Sequence, residues 1–101
     1  MAAKLVIKGS AYPLGKRLKN AVNAALHSEL CEVRFIKADG TKRVMLCTLM
    51  DTFMPDEDYT GPSYETLIKR HNNPYTITVW DAEINEWRAF TLERFLRLTT
   101  I

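Results

Sequence analysis

The run from Cys31 to Leu49 constrains this chain more than any other part of it. Two stretches rich in apolar and β-branched residues, Cys31–Lys37 and Lys42–Leu49, flank Ala38-Asp39-Gly40-Thr41. Asp-Gly is a favoured dipeptide for the tight turn whose backbone matches the twist of paired strands. With Asp39-Gly40 as a two-residue loop, Ala38 faces Thr41. Counting back then pairs Phe35 with Val44 and Val33 with Leu46 on one face, and Arg34 with Met45 and Ile36 with Arg43 on the other. That register gathers four apolar residues on one side, as a core-facing hairpin requires. It also sends Cys31 and Cys47 to opposite faces, which argues against a disulfide between them.

A second hairpin is expected further on. Tyr75–Asp81 and Glu86–Leu92 alternate around the turn Ala82–Asn85. A four-residue turn pairs Ile77 with Phe90, Tyr75 with Leu92 and Val79 with Arg88. It sets Trp80 against Trp87 on the other side. Thr91–Phe95 suits one tight helical turn, and Leu96–Ile101 offers a final strand.

Upstream, residues 4–8 read as a short strand, broken by Gly9, Ser10 and Pro13. Leu14, Leu18, Val22, Ala25 and Leu26 recur at three- and four-residue steps, which makes one apolar stripe on a helix at about residues 13–28. Pro13 suits the first turn of that helix. Between the hairpins, Ser63 is placed to cap a short helix running to Arg70, with Tyr64, Leu67 and Ile68 facing inward. Met50, Phe53 and Met54 are expected beneath the sheet, while Asp56-Glu57-Asp58 stays in water.

Two hairpins and a terminal strand predict a mainly β (α+β) fold. The expected form is a small five-stranded antiparallel barrel with an N-terminal helix and a short helix in the central connection. An open antiparallel sheet packed on the first helix is the alternative. The chain reads as one domain over residues 1–101, an N-terminal strand and helix (1–30) leading into the barrel (31–101) with an acidic insert at 50–66. Its 101 residues leave no room for a second core, and 47% hydrophobic with 26% charged residues is an ordinary globular balance.

Charge is unevenly laid out. Residues 50–66 hold Asp51, Asp56, Glu57, Asp58 and Glu65 with no base, so in a chain of net charge +2 the remainder sums to +7. Such modest basicity does not by itself name a nucleic-acid partner. The apolar run Leu5-Val6-Ile7 is too short for a signal segment, and no stretch approaches a membrane span, so a cytoplasmic location with no membrane partner is expected. Cys31 and Cys47 have no metal-type spacing, and free thiols are expected.

Val33-Arg34-Phe35-Ile36-Lys37-Ala38-Asp39-Gly40-Thr41-Lys42-Arg43-Val44-Met45-Leu46-Cys47-Thr48-Leu49 resembles the opening hairpin of a family of small phage-encoded proteins. Val79-Trp80-Asp81 followed by Glu86-Trp87-Arg88-Ala89-Phe90 resembles its later hairpin. The family is described as WYL-like, with an Sm-type, SH3-like β-barrel. The resemblance covers residues 31–49 and 74–100, but neither the N-terminal helix nor the acidic insert. It implies a phage or prophage origin, hence the cytoplasm of a host cell, and a barrel. It implies no catalytic residue. The literal Trp-Tyr-Leu triplet is absent, so no ligand-binding residue carries over from WYL regulators.

No catalytic constellation is expected. His27 and His71 fall near helix ends and lie in no motif with a nucleophile or a metal-ligand spacing. Asp56-Glu57-Asp58 lacks the glycine and distal glutamate of a calcium loop, and there is no phosphate-cradling or dinucleotide motif. No enzyme, cofactor or metal is therefore expected. Binding to a host protein is the leading expectation, through Met50, Phe53, Met54, Asp56, Glu57, Asp58 and Tyr59. Those residues mix Met and aromatic side chains with acids able to meet a basic surface. Self-assembly of the chain through sheet edges is included in that expectation. DNA or RNA is the alternative partner, with Arg34, Lys37, Lys42 and Arg43 for phosphates, Trp80 and Trp87 for stacking, and Arg88 nearby.

Overall fold

The computed structural model describes residues 4–53 and 55–101. Among them the chain forms β1 (Val6–Lys8), α1 (Lys16–Ser28), β2 (Cys31–Ile36), β3 (Lys42–Thr48), α2 (Tyr64–Arg70), β4 (Thr76–Asp81), β5 (Glu86–Thr91) and β6 (Phe95–Thr100), with short 3-10 turns between some of them. The six strands make one antiparallel sheet in the order β1-β6-β2-β3-β4-β5. The expected count of five is therefore corrected to six. Val6–Lys8 joins the sheet by pairing with Arg97–Thr99. Among the described residues no pairing links β1 to β5, so the sheet curls around its core without closing.

The first hairpin is shifted by one residue from the expected register. Lys37 N–H donates to the Thr41 carbonyl at 2.8 Å, and Gly40 N–H donates to the Lys37 carbonyl at 2.9 Å. The loop is thus three residues, Ala38-Asp39-Gly40. A two-residue type I′ turn needs positive φ at both central positions, whereas here Gly40 alone supplies it, at +88°. Asp39 is held instead by its carboxylate, which accepts the Thr41 hydroxyl at 2.6 Å and the Thr41 N–H at 3.0 Å. Val33 therefore pairs with Met45, Arg34 with Val44, and Phe35 with Arg43.

A one-residue slip exchanges the faces of a strand, and its effect falls on β3. Val33 and Phe35 are buried as expected, but Met45 and Cys47 join them while Val44 is 50% exposed and Leu46 half-buried. Arg43 moves to the inner face. Cys31 and Cys47 do not point to opposite faces; they stand directly opposite each other, both buried and both free thiols.

The second hairpin has the expected register, with Ile77 opposite Phe90, Val79 opposite Arg88 and Trp80 opposite Trp87. Leu92 N–H closes it on the Tyr75 carbonyl at 2.9 Å. A 3-10 turn at Leu92–Arg94, capped by the Thr91 hydroxyl, swings the chain into β6. There Phe95 and Leu98 meet Phe35, Phe90 and Val33 in the main core.

Helix α1 starts at Lys16 rather than near Pro13. Glycine is a poor interior helix residue, and Gly15 serves as the boundary, its carbonyl accepting from Lys19 N–H at 3.1 Å. Leu18, Val22, Ala25 and Leu26 bury the helix against the sheet, while Leu14 is left exposed. Helix α2 is capped by Ser63, which accepts from Thr66 N–H at 3.1 Å. Only Leu67 of its expected inward trio is buried; Tyr64 and Ile68 are exposed. Seven residues make two turns, enough to present one side chain squarely to the sheet. Leu67 covers Trp80 and Trp87, forming a second small core with Tyr59 and Leu49 at its rim. Among the described residues no helix is long and apolar enough to cross a membrane.

Candidate functional site

The acidic insert folds back along the turn between β4 and β5 and leaves a groove of about 630 Å³. One wall is Thr52, Phe53, Pro55, Asp56 and Asp58; the other is Ile84, Asn85 and Glu86; Tyr59 and Trp80 form the floor. Phe53 ends a 3-10 turn begun by Asp51. The segment then doubles back through Asp56, whose carboxylate accepts Asp58 N–H at 3.1 Å and whose carbonyl accepts Tyr59 N–H at 3.2 Å. Two adjacent turns thereby hold Asp56 and Asp58 at the rim.

Tyr59 fixes the floor. Its hydroxyl donates to the Pro62 carbonyl at 2.6 Å and accepts Trp87 N–H at 3.3 Å. Its ring meets Trp80 edge-on at 5.3 Å, and Trp80 meets Trp87 edge-on at 5.4 Å. Edge-to-face packing of this kind is favoured by the ring quadrupoles. Glycine at 61 leaves room for this ring, since a Cβ there would lie 2.5 Å from the Tyr59 hydroxyl and displace it. The opposite lip is set by Asp81, whose buried carboxylate accepts Glu83 N–H at 3.0 Å and Ile84 N–H at 3.4 Å, with Arg43 3.7 Å away. That cap presents Ile84 outward, 42% exposed, across from Phe53 at 37%.

The groove thus has apolar lips, an aromatic floor and carboxylates from Asp56, Asp58 and Glu86, with no basic side chain in its lining. This surface is chemically matched to a cationic segment that also carries apolar groups. Among the described residues, no three His, Cys, Asp or Glu side chains are grouped to hold a metal ion. His27 Nδ1 lies 2.8 Å from the Asn23 carbonyl, and His71 ends α2 in solvent.

Of the protein-contact candidates, Phe53, Asp56, Asp58 and Tyr59 line the groove. Glu57 is exposed beside it and Met50 is half-buried at its approach. Met54 lies outside the described residues. Phe53 does not tuck under the sheet as expected, because its ring forms the lip. Ile84, Glu86 and Gly61 were not expected at a site. An exposed isoleucine at the centre of a polar turn is the one signal that points to them.

The nucleic-acid candidates do not converge. Trp80 and Trp87 are 5% and 8% exposed beneath α2 and Tyr59, so neither offers a face for base stacking. Arg43 is drawn inward toward Asp81. Arg88 lies on the face opposite the tryptophans, as its register requires, and its Nε is buried without a hydrogen-bond partner. Arg34, Lys37 and Lys42 remain exposed around the first hairpin, with Arg34 bonded to Glu32 at 3.1 Å.

Comparison with curated proteins and with solved structures finds no match. A family model described as WYL_2, Sm-like SH3 beta-barrel fold, matches residues 19–96, from within α1 to the start of β6. It spans most of α1, both hairpins, α2 and the 3-10 turn that leads into β6. The chain therefore belongs to the WYL_2 family of Sm-like SH3 β-barrel proteins.

Proposed function

We propose that this domain is a non-catalytic binding module that engages a partner protein through the acidic groove. The observation that carries the reading is that exposed Phe53 and Ile84 line one groove together with Asp56, Asp58 and Glu86 and no base. Apolar side chains held open at two lips resist collapse only because Tyr59 and Asp81 anchor the segments behind them. A basic segment with an aliphatic or aromatic anchor would bury those lips and meet Asp56, Asp58 and Glu86. In the phage setting that the family resemblance implies, the partner is a protein of the host cell, and occupying its basic surface is how the module alters a host process.

The test is affinity capture from host cells with the wild-type chain and with the variant F53A/D56N/D58N, each with nuclease treatment. A protein recovered in stoichiometric amount by the wild type, resistant to nuclease and lost with the variant is the expected result. Identical recovery by both chains, or nucleic acid alone, would contradict the proposal.

A further inference from the structure

The outer face of the sheet, away from the groove, carries a track of cations that the fold itself leaves largely unneutralised. On the inner face Ile7, Leu98, Val33 and Met45 align across four neighbouring strands and are all buried. Side chains alternate along a strand, so the adjoining residues face outward. The register sets Lys8 opposite Arg97 and Arg97 opposite Arg34. Lys42 lies on the same face, two residues from Val44, which is Arg34's partner on β3. All four cations are exposed.

Neighbouring strands stand about 4.8 Å apart and diagonal positions about 7–8 Å apart. Lys8, Arg97, Arg34 and Lys42 therefore form a continuous line less than about 20 Å long. Glu32 is the one acid on this face of these four strands, and its carboxylate is bonded to Arg34. Among the described residues neither Lys8 nor Arg97 has a carboxylate within ion-pair distance. Like charges directly opposite each other destabilise an antiparallel pair, and this sheet holds two such pairs side by side. Among the described residues only the Glu32–Arg34 bond offsets them.

We propose that this face binds the phosphate backbone of duplex nucleic acid, independently of base sequence and of the groove. Phosphates supply the missing anions, and contacts limited to phosphates position a protein without reading sequence. Unpaired strands are usually gripped by aromatic side chains under their bases. None of the outward residues that β1, β6, β2 and β3 place on this face is aromatic, and Trp80 and Trp87 further along the sheet are buried under α2 and Tyr59, which favours a duplex.

The experiment is fluorescence anisotropy with a labelled 20-base-pair duplex between 50 and 200 mM salt. Four phosphate contacts predict that the wild type loses about 100-fold in affinity over that range, and R34A/R97A only about 10-fold. K16A/R17A, which removes exposed cations of α1, is expected to follow the wild type. The substitutions are at exposed positions, and circular dichroism would confirm an unchanged fold. Absence of duplex binding at 50 mM salt, an unchanged salt slope in R34A/R97A, or an equal loss in K16A/R17A would overturn the proposal. So would tighter binding to an unpaired strand, or binding to phosphatidylserine vesicles in place of the duplex.

Discussion

The hydroxyl of Tyr59 accepts the backbone N–H of Trp87 at 3.3 Å, tying the acidic insert to the edge strand β5. In an edge strand such an N–H otherwise faces water. The bond gives the groove floor a fixed distance from its β4–β5 wall. Tyr59→Phe keeps the ring on Trp80 and removes both hydroxyl bonds, so a loss of about 1 kcal/mol is expected. Gly61→Ala drives a methyl into the same ring and is expected to cost about 1–3 kcal/mol. Urea unfolding followed by tryptophan fluorescence reads both, since Trp80 and Trp87 lie beside the perturbed ring. Two variants as stable as the wild type would contradict the role assigned to Tyr59.

The first hairpin makes a sharper prediction about faces. Val44→Lys places an ammonium where the side chain is already in solvent, though opposite Arg34, and is expected to cost no more than about 1 kcal/mol. Met45→Lys buries an unpaired charge and is expected to cost about 4 kcal/mol or more. Gly40→Ala, at a positive φ, is expected to cost about 1 kcal/mol. Denaturant midpoints for the three variants check the register. A tolerated Met45→Lys with a disruptive Val44→Lys would restore the two-residue turn.

Particular residues show why one hairpin was legible and the other misread. Around Ala82–Asn85 the apolar residues alternate cleanly with polar ones, so a single register buries Ile77, Val79 and Phe90 together. On β3 the run Val44-Met45-Leu46-Cys47 is apolar at every position. Either register then gives β3 an apolar inner face, and periodicity cannot choose between them. The choice falls to Asp39, whose carboxylate binds Thr41 and leaves Gly40 alone with positive φ. The sixth strand depends on Val6–Lys8 meeting Arg97–Thr99 across almost the whole chain, which local pattern does not encode. The candidate site was half legible: Phe53, Asp56, Asp58 and Tyr59 stood out by composition. Ile84 and Glu86 reach the groove only through tertiary closure.

The opposed thiols predict a pH dependence. Burial, with Glu29 adding to it, pushes Cys31 up to about 11, and burial, with the Cys31 thiol and the Asp81 carboxylate adding to it, raises Cys47 further. The unfolded chain releases these protons near the ordinary thiol range, whereas the folded chain keeps them. Fewer protons are then bound in the unfolded state, so stability is full below about pH 8.5 and falls as pH rises toward 11. Urea midpoints from pH 8 to 10.5 are expected to fall more steeply for the wild type than for C31A/C47A. Parallel curves would contradict it. Thiol reagents at pH 8 are expected to label the native chain only as fast as it opens.

Photo-crosslinking from Ile84 tests the central claim most directly. A photoreactive side chain placed at Ile84, at the groove lip, is compared with one at Thr99, on the outer face of β6. With the host extract treated with nuclease, Ile84 is expected to yield one dominant protein adduct and Thr99 none. Competition by a soluble lysine-rich peptide bearing one aromatic residue is expected to remove that adduct. Protein adducts from Thr99 at equal yield, or none from Ile84, would contradict the groove as the docking site.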